Sequence, residues 1–166
     1  MPTPDNYLVR QATTHDLAGI TALLQENAAG NDGALNGDFP AEKVAGMLNH
    51  PGAIVAVAQC AAGIAGVLFS TSSFRQGPEM VNAMLRAWPP GKQCWIYGPA
   101  CISTRARGQG LLLRLYDELR SHYGTKAPVL FIQADNRRSI QAHERLGMTQ
   151  VAQFYINNVH FLVYSH

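Results

Sequence analysis

An arginine and two glycines, spaced Arg105-x-x-Gly108-x-Gly110, stand where a predicted strand ends and a predicted helix begins. The first turn of a helix leaves backbone N–H groups without partners, and the helix dipole places partial positive charge at that end. Glycines let a phosphate approach the backbone closely, and the guanidinium groups of Arg105 and Arg107 match phosphate oxygens. The turn therefore predicts an anion site that suits a diphosphate.

The spacing of this turn differs from two other nucleotide-binding patterns. A dinucleotide fingerprint, G-x-G-x-x-G, needs a third glycine at a position where this chain has Leu113. A P-loop ends in Gly-Lys-Ser/Thr, whereas Gly110 is followed by Leu111 and Leu112. A surface turn with two glycines and no ligand remains the alternative at this point.

A proline interrupts the strand that leads into the turn. Pro99 has no N–H to donate, so we expect the strand to open locally from its neighbour at Val129–Ala134. The exposed backbone of Ala100–Ile102 can then pair with an extended, amide-bearing ligand, as an added strand does. An extended arm with a diphosphate at one end describes coenzyme A. An edge strand is the alternative interpretation of Pro99.

The turn resembles that of the GNAT superfamily of acyl-CoA-dependent N-acyltransferases, in which it has the form Q/R-x-x-G-x-G/A. Arg105, Gly108 and Gly110 match that form. A second family motif, approximately N-x-x-A-x-x-x-Y-x-x-x-G-F, appears at 136–148 as Asn-Arg-Arg-Ser-Ile-Gln-Ala-His-Glu-Arg-Leu-Gly-Met. The two motifs lie in the family's order, and the resemblance covers nearly the whole chain.

The resemblance implies one domain over residues 1–166, of α/β (α+β) class, with a mixed, mostly antiparallel sheet that is splayed at its centre and flanked by helices. It implies acetyl-CoA, or coenzyme A, as the acyl donor. The residues expected to bind this cosubstrate are Ala100, Cys101, Ile102, Arg105, Arg107, Gly108, Gln109, Gly110, Leu111, Asn136 and Ser139. Arg137 or Arg138 can reach the 3′-phosphate or adenine, or can lie on a solvated helix face.

The implied reaction transfers an acetyl (acyl) group to a primary amine by direct attack on the thioester, without a covalent enzyme intermediate. The backbone N–H near Ala100–Cys101 is the implied donor to the oxygen on which negative charge develops. The family's tyrosine, which can reprotonate the CoA thiolate, is His143 here. A histidine can serve as that general acid, or it can be a packed helix residue. Tyr116 and Tyr123 are expected in the core.

The group that deprotonates the amine is not evident in the sequence. Many relatives carry a glutamate on the strand before the turn, but Gln93–Ile102 contains no carboxylate. Tyr97 can relay a proton through water, the amine can arrive neutral, and Glu79 is a further candidate. Cys101 invites interpretation as a nucleophile, but no activating base is identifiable, so a buried thiol is favoured. The six histidines include no i,i+4 pair, and no metal site is expected.

Hydrophobic periodicity and turn residues predict the elements that position these groups, in the order β-α-α-β-β-(α)-β-α-β-α-β-β. Strands are predicted at 7–12, 53–59, 64–70, 93–102 with a break near Gly98-Pro99, 129–134, 149–156 and 159–164. Helices are predicted after Thr13, after Asp38 as a cap, briefly within 75–93, at 108–123, and from Asp135 or Asn136 to Leu146. Asn157-Asn158 predicts a type I′ turn.

Composition limits the possible function classes. The 166 residues are 47% hydrophobic and only 14% charged, which fits one globular domain and excludes a disordered chain. Residues 103–145 carry a net charge of +4 and residues 1–102 carry −2. The basic region suits a small anion, and no array of base-stacking aromatic residues accompanies it, so nucleic acid is not an expected partner.

The cysteines and the N-terminal sequence indicate the cellular compartment in which we expect the protein. Three cysteines without short pair spacing argue against a disulfide framework. The chain has no signal-peptide pattern and no run near the ~18 apolar residues of a membrane span. We therefore expect a cytoplasmic protein that does not bind membranes.

The acceptor is not evident beyond a small amine or a peptide N-terminus. Asp32, Asp38 and Glu42 lie near the loop that, by resemblance, borders the acceptor pocket, although a capping role for Asp38 is the alternative. The strand Val159–Tyr164 can pair between chains, which would give a homodimer. The alternative function is a catalytically weak acyl-CoA sensor, or a partner-binding module on the same fold.

Overall fold

Apolar runs punctuated by glycine and asparagine turns build the elements. The computed structural model of the chain describes residues 6–28, 38–72 and 77–166. The helices in these ranges are α1 (Leu17–Glu26), α2 (Ala41–Leu48), α3 (Glu79–Ala87), α4 (Leu111–Tyr123) and α5 (Arg137–Arg145). The strands are β1 (Leu8–Gln11), β2 (Ala53–Cys60), β3 (Gly63–Thr71), β4 (Trp95–Ile102), β5 (Pro128–Gln133), β6 (Thr149–Ile156) and β7 (Val159–Ser165). None of these helices combines the length and the apolar character needed to span a membrane.

The strands form one mixed sheet in the order β1-β2-β3-β4-β5-β7-β6. The pairs β1–β2, β5–β7 and β6–β7 are antiparallel, whereas β4 and β5 run parallel. The register of β4 with β5 covers Trp95 with Pro128 and Ile96 with Val129, and it ends before the cis Gly98–Pro99 bond. The mixed sheet with its helices confirms the predicted fold class.

The chain divides into two compact units, each with its own hydrophobic core. The first unit comprises Met1–Ser70 and Gly98–His122, and the second comprises Thr71–Tyr97 and Tyr123–His166. The core of the first unit contains Ile20, Leu23, Leu24, Phe39, Val44, Val55, Val57, Val67, Phe69 and Cys101. The core of the second contains Val81, Ala83, Met84, Cys94, Ile96, Val129, Phe154, Phe161 and Val163.

Local turn chemistry places several boundaries where the sequence predicts them. Asn157 and Asn158 both have positive φ, 51° and 67°, which confirms the predicted type I′ turn between β6 and β7. Gly124 and Gly147 follow α4 and α5 with φ of 63° and 93°, the left-handed conformation that ends helices.

Two helix starts differ from prediction. α4 begins at Leu111 rather than at Gly108, because Gly108 and Gly110 have left-handed φ of 77° and 73° that a helix cannot contain. The cap predicted at Asp38 is wrong: the N-cap of α2 is Pro40, and what Asp38 supplies is its carbonyl oxygen, which accepts a hydrogen bond from Lys43 Nζ at 2.9 Å.

The expectation that the last strand pairs between chains is also wrong. β7 lies between β5 and β6 and is paired on both sides, because the hairpin of β6 and β7 places β6 outermost. The predicted acceptor loop that includes Asp32, and the Arg75 end of the predicted insert, lie outside the described residues.

A buried ion pair fixes the start of the first unit. Asp16, which is 8% exposed, accepts hydrogen bonds from Arg10 Nη1 and Nη2 at 2.7 and 2.8 Å, and from the Thr13 backbone N–H at 2.8 Å. The hydrogen bonds from Arg10 lower the pKa of Asp16 below its usual value near 3.8, and burial opposes that shift. The carboxylate therefore stabilises the fold above pH 3.8, and this contribution disappears as pH falls through the lower folded-state pKa.

We predict that Asp16→Asn lowers the free energy of unfolding by about 1–3 kcal/mol at pH 7, because it removes charge-assisted hydrogen bonds from a buried site. Urea denaturation measures the loss, and the difference from wild type should shrink in acid below pH 3.8. Asp117→Asn is the control, since its ion pair with Arg120 is about half exposed and should contribute under ~1 kcal/mol. Equal losses for the two variants would contradict the prediction.

Candidate active site

The turn between β4 and α4 is built from a strand end, a short 3-10 turn and two left-handed glycines. The Ser103 N–H donates to the Ala65 carbonyl of β3 at 2.7 Å, which holds the end of β4. Thr104–Ala106 forms the 3-10 turn, and the Ala106 side chain is buried. The positive φ of Gly108 and Gly110 reverses the chain, since residues with a Cβ rarely adopt it.

The turn contains backbone N–H groups that lie ahead of the helical hydrogen bonds of α4. The Arg114 N–H bonds the Gly110 carbonyl at 3.3 Å as the first helical bond here, so the N–H groups of 111–113 precede the α4 ladder. A Cβ built on Gly108 or Gly110 would meet none of the described residues within 4 Å. Arg105 and Arg107 are exposed, and neither forms an ion pair within the described ranges. These residues can together hold a doubly charged anion.

Two side chains tie this turn to the residue before β1. Arg114 Nη2 donates to the Tyr7 carbonyl at 3.0 Å, and Gln109 Nε2 lies 3.4 Å from the Tyr7 hydroxyl. Gln109, predicted to bind the cosubstrate, thus has its amide directed to Tyr7 in this structure. Its backbone remains part of the turn.

The residues of β4 before the turn alternate between two faces. The Cys101 thiol donates to the Leu23 carbonyl across 3.9 Å and is 6% exposed. Ile102 packs on Gly66, where an added Cβ would lie 3.0 Å from Ile102 Cδ1. Burial raises the pKa of Cys101 to about 12, so the group is a thiol at neutral pH. A nucleophilic role requires the thiolate form of Cys101. The structure therefore supports the interpretation of Cys101 as a buried thiol.

In the second unit, Tyr97 and His143 are in direct contact. The Tyr97 hydroxyl lies 2.8 Å from His143 Nε2, and the two rings meet edge to face with centroids 5.3 Å apart. On its other side, His143 Nδ1 lies 2.7 Å from the Ser139 carbonyl oxygen. The two residues singled out separately as catalytic candidates therefore form one hydrogen-bonded chain on β4 and α5.

The pair is buried. Tyr97 is 5% exposed and His143 is 4% exposed. Burial lowers the pKa of His143 below its usual value near 6.5, and the hydrogen bond to the Ser139 carbonyl partly opposes this shift. His143 is therefore neutral at pH 7.

Asn136 and Ser139 hold the helix that carries His143. Asn136 Oδ1 accepts a hydrogen bond from the Ser139 N–H at 3.2 Å, so Asn136 caps α5 as the sequence predicts. Ser139 Oγ lies 3.3 Å from His143 Nδ1. Arg137 and Arg138 are exposed in the first turn of α5. Binding of a cosubstrate by Asn136 and Ser139 stays a prediction.

The other candidate side chains do not lie together in one site. Glu79 is exposed at the start of α3, and Glu42 is exposed in the first turn of α2. Within residues 6–28, 38–72 and 77–166, no group of three His, Cys, Asp or Glu side chains could hold a metal ion. Sequence reasoning missed the Tyr97–His143 contact, because 46 residues separate the two and no local pattern links them.

Several solved structures have a fold similar to that of this chain. An N-acetyltransferase from Staphylococcus aureus Mu50 is 17% identical, with a TM-score of 0.69 over 97% of this chain and 98% of that one. Arabidopsis thaliana NAA60 in complex with acetyl-CoA is 12% identical, with a TM-score of 0.71 over 97% and 98%. An acetyltransferase of the GNAT family from Streptococcus pneumoniae is 15% identical, with a TM-score of 0.68 over 97% and 99%.

No family model and no curated protein sequence matches the chain. At these identities the similarity concerns the fold, and it extends over nearly the full length of each chain. The expected architecture is thereby confirmed: this chain has the fold of the GNAT N-acetyltransferases.

Proposed function

We propose that this protein is an N-acyltransferase that moves an acetyl group from acetyl-CoA to a primary amine. The observation that carries the proposal is the turn before α4, with left-handed Gly108 and Gly110, exposed Arg105 and Arg107, and N–H groups that precede the helical ladder. The fold supports it, since solved structures of that fold include N-acetyltransferases and one complex with acetyl-CoA.

Each part of the donor has a proposed position. Arg105, Arg107 and the N–H groups of Gly108–Leu111 hold the diphosphate by charge and hydrogen bonding. The backbone of Ala100–Ile102 pairs with the extended amide-bearing arm, beyond the point where the β4–β5 register ends. The N–H near Cys101 donates to the thioester oxygen as negative charge develops.

The acceptor is a small amine or a peptide N-terminus that attacks the thioester directly. A covalent acetyl-enzyme on Cys101 is disfavoured, because that thiol is buried and has a pKa of about 12. Tyr97 and His143 are the proposed catalytic side chains.

A second candidate function is an acyl-CoA sensor that binds the cosubstrate with little turnover. The absence of a carboxylate from β4, all of whose residues the structure describes, favours it. So does the burial of His143 at 4% exposure. Both candidates share the same diphosphate site and differ in whether an amine is acetylated.

We predict that the wild-type protein releases CoA thiol from acetyl-CoA when a reactive amine is present, and much more slowly without one. A panel of small amines, polyamines, amino acids and short peptides, followed by free-thiol release and mass spectrometry of the acetylated product, measures this. Saturable binding with no turnover across the panel would favour the sensor. If acetyl-CoA neither shifts the melting temperature nor is hydrolysed or transferred, both candidates fail.

We predict that Gly110→Val weakens acetyl-CoA binding about tenfold or more, because the branched side chain occupies the space that the diphosphate needs. Gly124→Val is the matched control. Gly124 has a similar φ of 63° and equally open surroundings, but it lies at the opposite end of α4. Both variants should lose at least about 1 kcal/mol of stability from left-handed strain. Calorimetric titration should show weaker binding for Gly110→Val alone, and equal affinities would contradict the assignment.

We predict that Arg105→Ala and Arg107→Ala each reduce acetyl-CoA affinity about tenfold, since a charge-assisted hydrogen bond contributes roughly 1.5–3 kcal/mol. The wild-type affinity should also fall with rising ionic strength. Arg120→Ala removes an arginine from the other end of α4 and should leave the affinity unchanged. Unchanged acetyl-CoA affinity in both turn variants would contradict the assignment of the diphosphate to this turn.

A further inference from the structure

The glycine turn before α4, residues 108–110, has little backbone hydrogen bonding of its own. Within the described ranges, its one backbone bond is the 3.3 Å bond that the Gly110 carbonyl accepts from the Arg114 N–H. Glycine adopts φ of either sign at similar cost, so Gly108 and Gly110 do not fix the turn by themselves. The left-handed conformation that both glycines show therefore depends on contacts from outside the turn.

Tyr7, the residue before β1, supplies such contacts at two points. Its hydroxyl accepts a hydrogen bond at 3.4 Å from Nε2 of Gln109, which lies between the two glycines. Its backbone carbonyl accepts a hydrogen bond at 3.0 Å from Nη2 of Arg114, near the start of α4. Tyr7 thus contacts the chain on both sides of Gly110.

Tyr7 is attached to a strand that is itself held in place. The next residue, Leu8, pairs with Gln59 of β2. Arg10 of the same strand donates to Gln59 Oε1 at 3.1 and 2.8 Å, and it also forms the ion pair with Asp16. Movement of the glycine turn away from β1 must therefore break its contacts with a fixed strand.

The contacts with Tyr7 leave the backbone donors of the turn available. On the side of the turn they use only the side chains of Gln109 and Arg114. The N–H groups of residues 108–111 have no acceptor in the described part of the chain, and these groups can bind an anion. A loop that already has its binding conformation loses less conformational freedom when a ligand binds.

We propose that Tyr7 is a positioning residue for the cosubstrate site: through Gln109 and Arg114 it holds the glycine turn in the conformation that receives the CoA diphosphate. The inference rests on the proposed function, which assigns that ligand to the turn. The side chains of Gln109 and Arg114 act through Tyr7, whereas Arg105, Arg107 and the backbone N–H groups contact the diphosphate.

The first test is a double-mutant cycle on the contact between Tyr7 and Gln109. Tyr7→Phe and Gln109→Ala should each weaken acetyl-CoA binding about threefold, as expected for loss of one neutral hydrogen bond. The double variant should bind no more weakly than either single variant, because both changes remove the same contact. Additive losses would show that Gln109 acts on the ligand independently of Tyr7, and would overturn the proposal.

The second contact is tested with Arg114→Met, which keeps a long side chain but cannot donate to the Tyr7 carbonyl. Calorimetric titration should show acetyl-CoA binding that is about fivefold weaker, since the lost bond is charge-assisted. Two controls should bind as the wild type does. Arg120→Met removes an exposed arginine from the other end of α4, and Tyr155→Phe removes the hydroxyl of a tyrosine that is 64% exposed on β6.

Nitrogen-15 relaxation of the ligand-free protein separates positioning from direct contact with the ligand. In the wild type, the N–H groups of Gly108 and Gly110 should have order parameters near the rigid-backbone value of about 0.85. Tyr7→Phe and Arg114→Met should lower these order parameters toward about 0.6, and saturating acetyl-CoA should restore them. The order parameters of β2 and β3 should stay unchanged, which a general loss of folding would not allow.

Two results would overturn the positioning role. One is unchanged acetyl-CoA affinity in both Tyr7→Phe and Arg114→Met. The other is weaker binding with unchanged order parameters at Gly108 and Gly110, which would make the altered side chains direct contacts of the ligand. Wild-type protein that binds no acetyl-CoA would overturn the proposed function instead, and the order parameters would still decide whether Tyr7 holds the turn.

Discussion

One hydrogen bond determines what α5 can contribute chemically: the one that His143 Nδ1–H donates to the Ser139 carbonyl. It selects the tautomer, and the tautomer decides that Tyr97 is a donor to Nε2. The bond joins two residues of the same helix, four positions apart. Its geometry therefore depends on a correctly formed first turn of α5. The Asn136 cap on the Ser139 N–H provides that start. His143 on α5 therefore fixes the orientation of a hydroxyl on β4, that of Tyr97.

β4 changes partners along its length. Trp95 and Ile96 form a parallel register with β5, whereas Ser103 at the other end bonds Ala65 of β3. The backbone between these two ends is where the proposed thioester contacts lie. Trp95 anchors the paired end, with its ring stacked on Tyr123 at 4.5 Å and its Nε1–H bonded to the Lys126 carbonyl at 3.0 Å.

Features set by local chemistry could be predicted from the sequence, and features set by distant contacts could not. The Asn157-Asn158 turn and the Gly124 and Gly147 stops depend on backbone preferences of single residues. The start predicted for α4 at Gly108 lies three residues before the observed start, because hydrophobic periodicity does not reveal that a glycine has a left-handed φ. The interior position of β7 follows from pairing with β5, about 30 residues earlier in the chain. The Tyr97–His143 contact joins two elements with no shared pattern, so the sequence singled out both residues without indicating that they are in contact.

The buried thiol of Cys101 has a consequence for the selectivity of the proposed acyl transfer. A thioester exchanges readily with thiolates, so a reactive cysteine beside the donor would take the acyl group onto its own sulfur and release free CoA. Burial raises the pKa of Cys101 to about 12, so this group is held as the un-ionised thiol at pH 7. Cys60 and Cys94 are buried as well. In the proposed acyl transfer, the folded protein thus keeps its own sulfur away from the thioester, which is left to react with the incoming amine nitrogen.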